Sequence, residues 1–287
     1  MGLQRLNHSI PELKKISTNI REHIIVNSHR SNTPHLASCL SVVDILTVLY
    51  FKILRLNLKD FSDPARDRFI LSKGHAAPAL FQTMKFRSFF ESDRLDDYGQ
   101  NGSIFGEHPP SPSELNGIEA ATGSLGHGLP IGIGMALAER YNNKDYRVFV
   151  LLGDGECNEG TIWESALFAS AKKLNNLITI IDCNRWQATG RTKEIIELAP
   201  FQDKWKAFGW DTTVINGHDL EELKISLSEK STHSQRPLAV IANTIKGKGV
   251  SFMEDDNNWH YKIPTTDEVN QALQELKTST RRVEHEK

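Results

Sequence analysis

Cysteine is scarce in this chain. Cys39, Cys157 and Cys183 are the only three thiols in 287 residues, and none is spaced as CxxC. That pattern excludes a disulfide framework and a multi-cysteine zinc site, and it fits a reducing compartment. Net charge is equally scarce. Lys+Arg 34 against Asp+Glu 36 leaves −2, so no bulk field draws the chain to nucleic acid or to an anionic membrane. No apolar run approaches the ~18 residues of a membrane span. The N-terminus lacks the basic-then-apolar pattern of a secretory leader, so the expected location is cytoplasmic. Internal repeats and low-complexity stretches are absent, as is the phosphate-loop pattern GxxxxGK(S/T). What is present is ordinary globular composition, 39% hydrophobic and 24% charged, in a chain long enough to bury a large core. The expectation is one domain over residues 1–287, ending in a charged, mobile tail after about 278.

Hydrophobic periodicity predicts the elements. Leu13, Ile16, Ile20, Ile24 and Ile25 recur at helical spacing between Pro11 and Arg30. Ser41 is placed to cap a second helix from Val42 to about Leu54. Arg68-Phe-Ile-Leu-Ser72 is predicted as a buried strand turning at Gly74 into an Ala- and Leu-rich helix. A Gly-, Pro- and Ser-rich loop covers 99–117, and loops of that length inside a domain are commonly functional. A small-residue helix is expected from Gly126 to about Tyr141. Arg147–Leu152 and Leu177–Ile181 are uniformly apolar strands separated by a helix from Gly160 to Lys173, which is a βαβ unit with both faces covered. Further strands are expected at Thr212–Ile215 and Pro237–Asn243, with a helix between them after Asp219 and another beyond Asp267. The fold class is therefore α/β: an open, mostly parallel sheet with helices on both faces.

In such sheets ligands bind beyond the carboxyl ends of the strands. Here one strand ends in Gly153-Asp154-Gly155-Glu156 and the next in Asp182-Cys183-Asn184. If the strands are neighbours, Asp154 and Asn184 project toward one spot. A carboxylate with an amide oxygen is the hard-oxygen set that Mg²⁺ or Ca²⁺ takes, and Mg²⁺ favours a few protein ligands supplemented by phosphate oxygens. The flanking glycines let backbone N–H groups approach a phosphate. A metal–diphosphate site is thus expected from the residues alone. An ordinary turn would account for a lone Gly-Asp-Gly, but not for the paired Asn after its own apolar strand. Gly153-Asp154-Gly155 does not meet the dinucleotide fingerprint GxGxxG.

From about His35 to Lys262 the sequence resembles the N-terminal half of transketolases. The resemblance rests on Gly153–Glu156 with Asn184, on Leu71-Ser-Lys-Gly-His-Ala-Ala-Pro-Ala-Leu80 and Thr122-Gly-Ser-Leu-Gly-His-Gly-Leu129, and on Gly160-Thr-Ile-Trp-Glu-Ser-Ala166 and Ile245-Lys-Gly-Lys-Gly-Val250. It implies a thiamine-diphosphate-binding fold, with thiamine diphosphate and Mg²⁺ (Ca²⁺ as a substitute) as cofactors. It also implies Asp154, Asn184 and the Trp186 carbonyl as metal ligands. The Gly123–Leu125 backbone, including Ser124, would lie at the aminopyrimidine side. Gly153, Gly155 and Glu156 belong to the diphosphate motif. Lys73, His75, Lys246 and His260 would surround the diphosphate and reaction centre, and His35 and His108 the substrate's oxygens. His35, His75, His108 and His260 are the expected catalytic set; near-neutral imidazoles suit carbonyl chemistry. Glu159 and Glu164 resemble acidic residues at the family's subunit interface. By contrast, His127, Cys157, Cys183, Trp163, Trp205 and Trp210 are expected to pack rather than react.

The same resemblance implies transfer of a two-carbon ketol unit from a ketose, often a phosphate ester, to an aldehyde, with the cofactor as electron sink. Full-length transketolases carry further domains that supply a glutamate to the aminopyrimidine. The expectation is accordingly a separate, C-terminal transketolase-like partner chain in an α2β2 assembly. Pro34, Glu107 and Tyr261 stand where the family usually has Gly, all at the expected substrate mouth. That suggests a specialised donor or acceptor, a carrier-bound acyl acceptor included. Two alternatives remain open on the sequence: the α-type chain of a 2-oxo-acid dehydrogenase, and a non-catalytic scaffold or regulatory subunit of the same fold.

Overall fold

A computed structural model describes residues 3–228 and 234–285, the side chains of 279–285 excepted. The first helix, α1 (Ile10–Ser31), starts where the Glu12 carboxylate accepts from the Ser9 N–H at 2.7 Å, and its apolar stripe is buried. The second expected helix is corrected. It comprises α2 (Leu36–Leu40) and α3 (Val43–Val48), the latter continuing as a π-helical turn through Leu49–Ile53. Ser41 does not cap it, because its hydroxyl is directed at Asp182 Oδ2, 2.8 Å away. Helix formation begins instead at His35, whose φ of 68° is left-handed.

The chain then forms β1 (Arg68–Leu71), α4 (Ala77–Phe86), α5 (Gly128–Tyr141), β2 (Val148–Gly153), α6 (Gly160–Ala171) and β3 (Leu177–Cys183). A small hairpin, β4 (Trp186–Gln187) with β5 (Gly190–Arg191), and two short helices, α7 (Thr192–Ile195) and α8 (Phe201–Ala207), follow. The chain closes with β6 (Asp211–Asn216), α9 (Leu220–Ser228), β7 (Leu238–Asn243) and α10 (Thr266–His285). The expected mobile tail falls on 279–287, outside the described side chains.

Five strands form one sheet in the order β1-β2-β3-β7-β6, every pair parallel. Alternate strand residues divide between two cores, as a pleat requires. Phe69, Leu71, Phe149, Leu151, Ile178, Ile180 and Val240 pack into the core that includes α1, α3, α4 and α9. Ile70, Val148, Val150, Leu152, Leu177, Ile181 and Ile241 pack into the core of α5, α6 and α8. Trp205 and Trp210, 0% and 1% exposed, anchor that second core, and Trp163 packs partly buried against it. Cys157 is buried there as well. Among the described residues, no helix is long and apolar enough to cross a membrane.

Candidate active site

The βαβ unit puts β2 and β3 side by side in register, Gly153 opposite Asp182. Their carboxyl ends therefore meet, and Asp154 and Asn184 come together. Asp154 Oδ2 accepts from the Arg185 N–H and from the Thr192 hydroxyl, each at 3.0 Å. Asn184 Oδ1 accepts from the Trp186 N–H at 3.0 Å, and its Nδ2 donates to Asp182 Oδ2 at 2.9 Å. Burial and the Asp182 carboxylate push the Asp154 carboxyl up to about 6. A carboxylate so poorly compensated by protein cations favours an added positive charge.

Beside this pair opens a cleft of about 440 Å³. One wall is the Lys73-Gly74-His75 turn, seated on the Thr122–Gly123 backbone. A Cβ on Gly74 would lie 2.8 Å from Gly123 N and Thr122 O, so only glycine permits that contact. Gly123 and Leu125 line the cleft, whereas Ser124 between them is exposed and forms no part of its wall. Gly153, Gly155, Trp186 and Gln187 form the facing side. The Trp186 ring is held outward, donating to Asp255 at 2.8 Å with the Arg191 guanidinium 3.8 Å above it.

The four histidines converge. His35 lies 5.6 Å from His75, 6.3 Å from His108 and 5.0 Å from His260, ring centre to ring centre. Burial, then Lys73, lowers His75 well below its ordinary value. Burial, then Lys246, takes His260 down to about 3. His35 is lowered by burial against the opposing pull of Glu107. These three rings are neutral near pH 7, each with one N–H and one acceptor nitrogen. His127 is exposed and turned to its own Leu125 carbonyl.

The two lysines differ. Lys73 is 1% exposed and its Nζ is engaged by Asp182 Oδ2 at 2.5 Å, so it acts first as a buried structural cation. Lys246 Nζ donates to Asn257 Oδ1 at 2.6 Å and lies 3.3 Å from His260 Nδ1. Burial, then repulsion from Lys73, brings it down to about 8. Glu156 also faces inward. Its carboxylate takes the Ser72 hydroxyl, the Gly126 N–H at 2.9 Å and the Gly153 N–H at 3.1 Å. It clamps together three segments of the wall.

Sequence reasoning missed Asp182, Asn158 and Gln187. Asp182 is 0% exposed and gathers Ser41, Lys73, Asn184 and Thr244. Its signal was visible: a lone carboxylate closing an otherwise apolar strand must be paired. Asn158 and Gln187 line the cleft, with both amide atoms of Asn158 and Nε2 of Gln187 buried without a hydrogen-bond partner. Nothing in their sequence context marks them. Orphaned polar atoms on a cleft wall suit a polar ligand. Among the described residues, no three His, Cys, Asp or Glu side chains are arranged to hold a metal. An ion here would therefore rest on Asp154, Asn184, backbone oxygen and oxygens of the ligand itself.

Fold and cleft together define a class: an α/β protein with a polar ligand site at the carboxyl ends of a parallel sheet. Within that class the chain belongs to the transketolase family, residues 14–282 matching the family described as "Transketolase, thiamine diphosphate binding domain". It is 41% identical to an apulose-4-phosphate transketolase subunit of Actinobacillus succinogenes, over 94% of this chain and 98% of that protein. It is 36% identical to a 6-deoxy-6-sulfo-D-fructose transketolase subunit of a Clostridium species, over 84% and 88%. Transketolase from Campylobacter jejuni superposes with a TM-score of 0.82 at 26% identity, over 96% of this chain. The chain spans 48% of the length of that transketolase chain.

Proposed function

We propose that this chain is the thiamine-diphosphate- and Mg²⁺-binding subunit of a two-chain transketolase that moves a two-carbon ketol unit from a ketose donor to an aldehyde. The observation carrying this reading is the meeting of Asp154 and Asn184 in one cleft with His35, His75, His108 and His260. Supporting it, both subunit relatives are matched over most of their own length, and their names imply a second subunit.

The donor set fits the cofactor. Asp154, Asn184 and the Trp186 carbonyl would hold Mg²⁺, with Ca²⁺ as a substitute, and diphosphate oxygens would complete the shell. Lys246, His75 and Gly155 would face the diphosphate, and Gly123 and Leu125 the pyrimidine side. Bound there, thiamine diphosphate supplies a carbon nucleophile that doubles as an electron sink. The protein's share is to bind, orient and exchange hydrogen bonds. His35, His108 and His260 would contact the sugar's hydroxyl and carbonyl oxygens, the neutral rings of His35 and His260 each offering one donor and one acceptor.

The partner would be a C-terminal transketolase-like subunit bringing the glutamate that protonates the aminopyrimidine, in an α2β2 assembly. α5 and α6 suit such an interface: Ile131, Leu167 and Phe168 are exposed on them at 37%, 61% and 44%, together with Glu164. Glu159 is exposed just before α6. Donors related to apulose 4-phosphate or a sulfosugar are the first to try, with a carrier-bound acyl acceptor as a specialised case. Residues 1–287 would form one domain, and three unpaired cysteines suit a cytoplasmic enzyme.

Calorimetry tests the reading. Thiamine diphosphate titrated into the chain with Mg²⁺, in the presence of the chain encoded beside it, is expected to bind, and Asp154→Ala to abolish binding. Equal binding by Asp154→Ala would refute the assignment of the metal site. Failure of the wild-type pair to bind, with both chains folded and associated, would favour the scaffold reading.

A further inference from the structure

His35 carries three anomalies in one residue. Its φ of 68° lies in the left-handed region, which non-glycine residues enter at a cost and mostly at functional positions. That conformation is held by its own N–H, which donates to the His260 carbonyl at 2.8 Å. Its Nδ1 is buried and has no hydrogen-bond partner. Yet that same nitrogen is 3.3 Å from Oε2 of Glu107, close enough for an ion pair but out of hydrogen-bond alignment. The Glu107 side chain is 40% exposed and so has room to turn.

Every element around His35 contributes a group. The turn after β1 brings His75, the loop over 106–109 brings Glu107 and His108, and the turn Asn257–His260 brings His260 with Tyr261 after it. Lys246 acts from behind His260. Of these, Glu107 is the one anion, so an imidazole with a single proton places it on the nitrogen nearest that carboxylate. The arrangement resembles a carboxylate fixing the tautomer of a general base.

Resting on the proposed ketol-transfer reading, we infer that Glu107 is a positioning residue that closes the short gap to His35 and fixes its proton on Nδ1. Nε2 is thereby kept unprotonated toward the cleft as the acceptor for a donor-sugar hydroxyl. Glu107 touches no reacting atom in this role; it acts through His35. The carboxylate also sets a preference. A neutral hydroxymethyl ketone is tolerated at this end of the cleft, whereas a 2-oxo acid would bring its own carboxylate against Glu107.

Two readouts test the inference. The first is long-range ¹H–¹⁵N correlation of ¹⁵N-histidine-labelled full chain, with His35 assigned from His35→Asn. Wild type is expected to show the Nδ1–H tautomer, and Glu107→Gln a shift to Nε2–H or a mixture. The second is steady-state transfer by the reconstituted pair. Glu107→Gln is expected to lower kcat about tenfold with thiamine diphosphate affinity unchanged, Glu107→Asp to recover part of it, and the ratio of 2-oxo-acid to ketose turnover to rise. An unchanged His35 tautomer in Glu107→Gln overturns the inference even if the pair is fully active. Absence of transfer by the wild-type pair removes the ketol-transfer reading, while the tautomer still decides the Glu107–His35 contact.

Discussion

At the residue scale the site is built by holding ionisable groups away from their ordinary state. Three imidazoles are kept neutral by burial and by neighbouring lysines, His260 down at about 3. The sign follows from proton counting: an unfolded histidine takes up its proton near pH 6.5, and the folded one does not. Between about pH 6.5 and His260's folded value, the unfolded chain holds more protons, so stability falls as pH falls. Asp154 and Glu156, both raised by burial, oppose this trend. A difference measurement isolates the histidine. Urea midpoints taken from pH 7.5 to 5.5 should drop less in His260→Asn than in wild type. Parallel curves would show that His260 is not held neutral.

At the element scale, the segment that delivers Lys246 is held by a network remote from the cleft. Arg21 of α1 makes two bonds to Asp44 of α3, at 3.0 and 2.6 Å, and its Nε donates to the Lys248 carbonyl at 3.0 Å. His218 Nδ1 lies 2.8 Å from the same carboxylate, and its Nε2 accepts from the Ile245 N–H at 2.9 Å. Burial alone would raise Asp44; Arg21 and His218 outweigh it and hold the carboxyl far below its usual range. Asp44→Asn leaves a buried guanidinium uncompensated and should cost about 3–5 kcal/mol, read as a fall in the urea midpoint, with weaker cofactor binding as the Lys246 segment loosens. A change below ~1 kcal/mol would mean that the network is incidental. None of this was visible in the sequence, because Arg21, Asp44 and His218 carry no local pattern and meet only through packing. The sheet was visible, since strands buried on both faces are nearly all apolar, as Val148–Leu152 is throughout and Leu177–Ile181 is apart from Thr179. The Asp154–Asn184 pair was visible because one βαβ crossover fixes which strand ends meet. The region 185–207 was not foreseen: its two-residue strands and short helices are too brief for periodicity to register. The break of the second helix was hidden too, as Ser41's natural capping role yields to Asp182.

At the scale of the whole molecule, Ile131, Leu167 and Phe168 are exposed on α5 and α6, and the chain spans 48% of the Campylobacter jejuni transketolase chain it superposes on. The central claim is that this chain and a second one make one ketol-transfer site. The most direct measurement is transfer from a ketose phosphate to an aldehyde, with thiamine diphosphate and Mg²⁺, by each chain alone and by the mixture. The account predicts turnover by the mixture alone, lost when Asp154→Ala replaces the wild-type chain. Turnover by this chain unaided, or equal turnover with Asp154→Ala in the mixture, would contradict it.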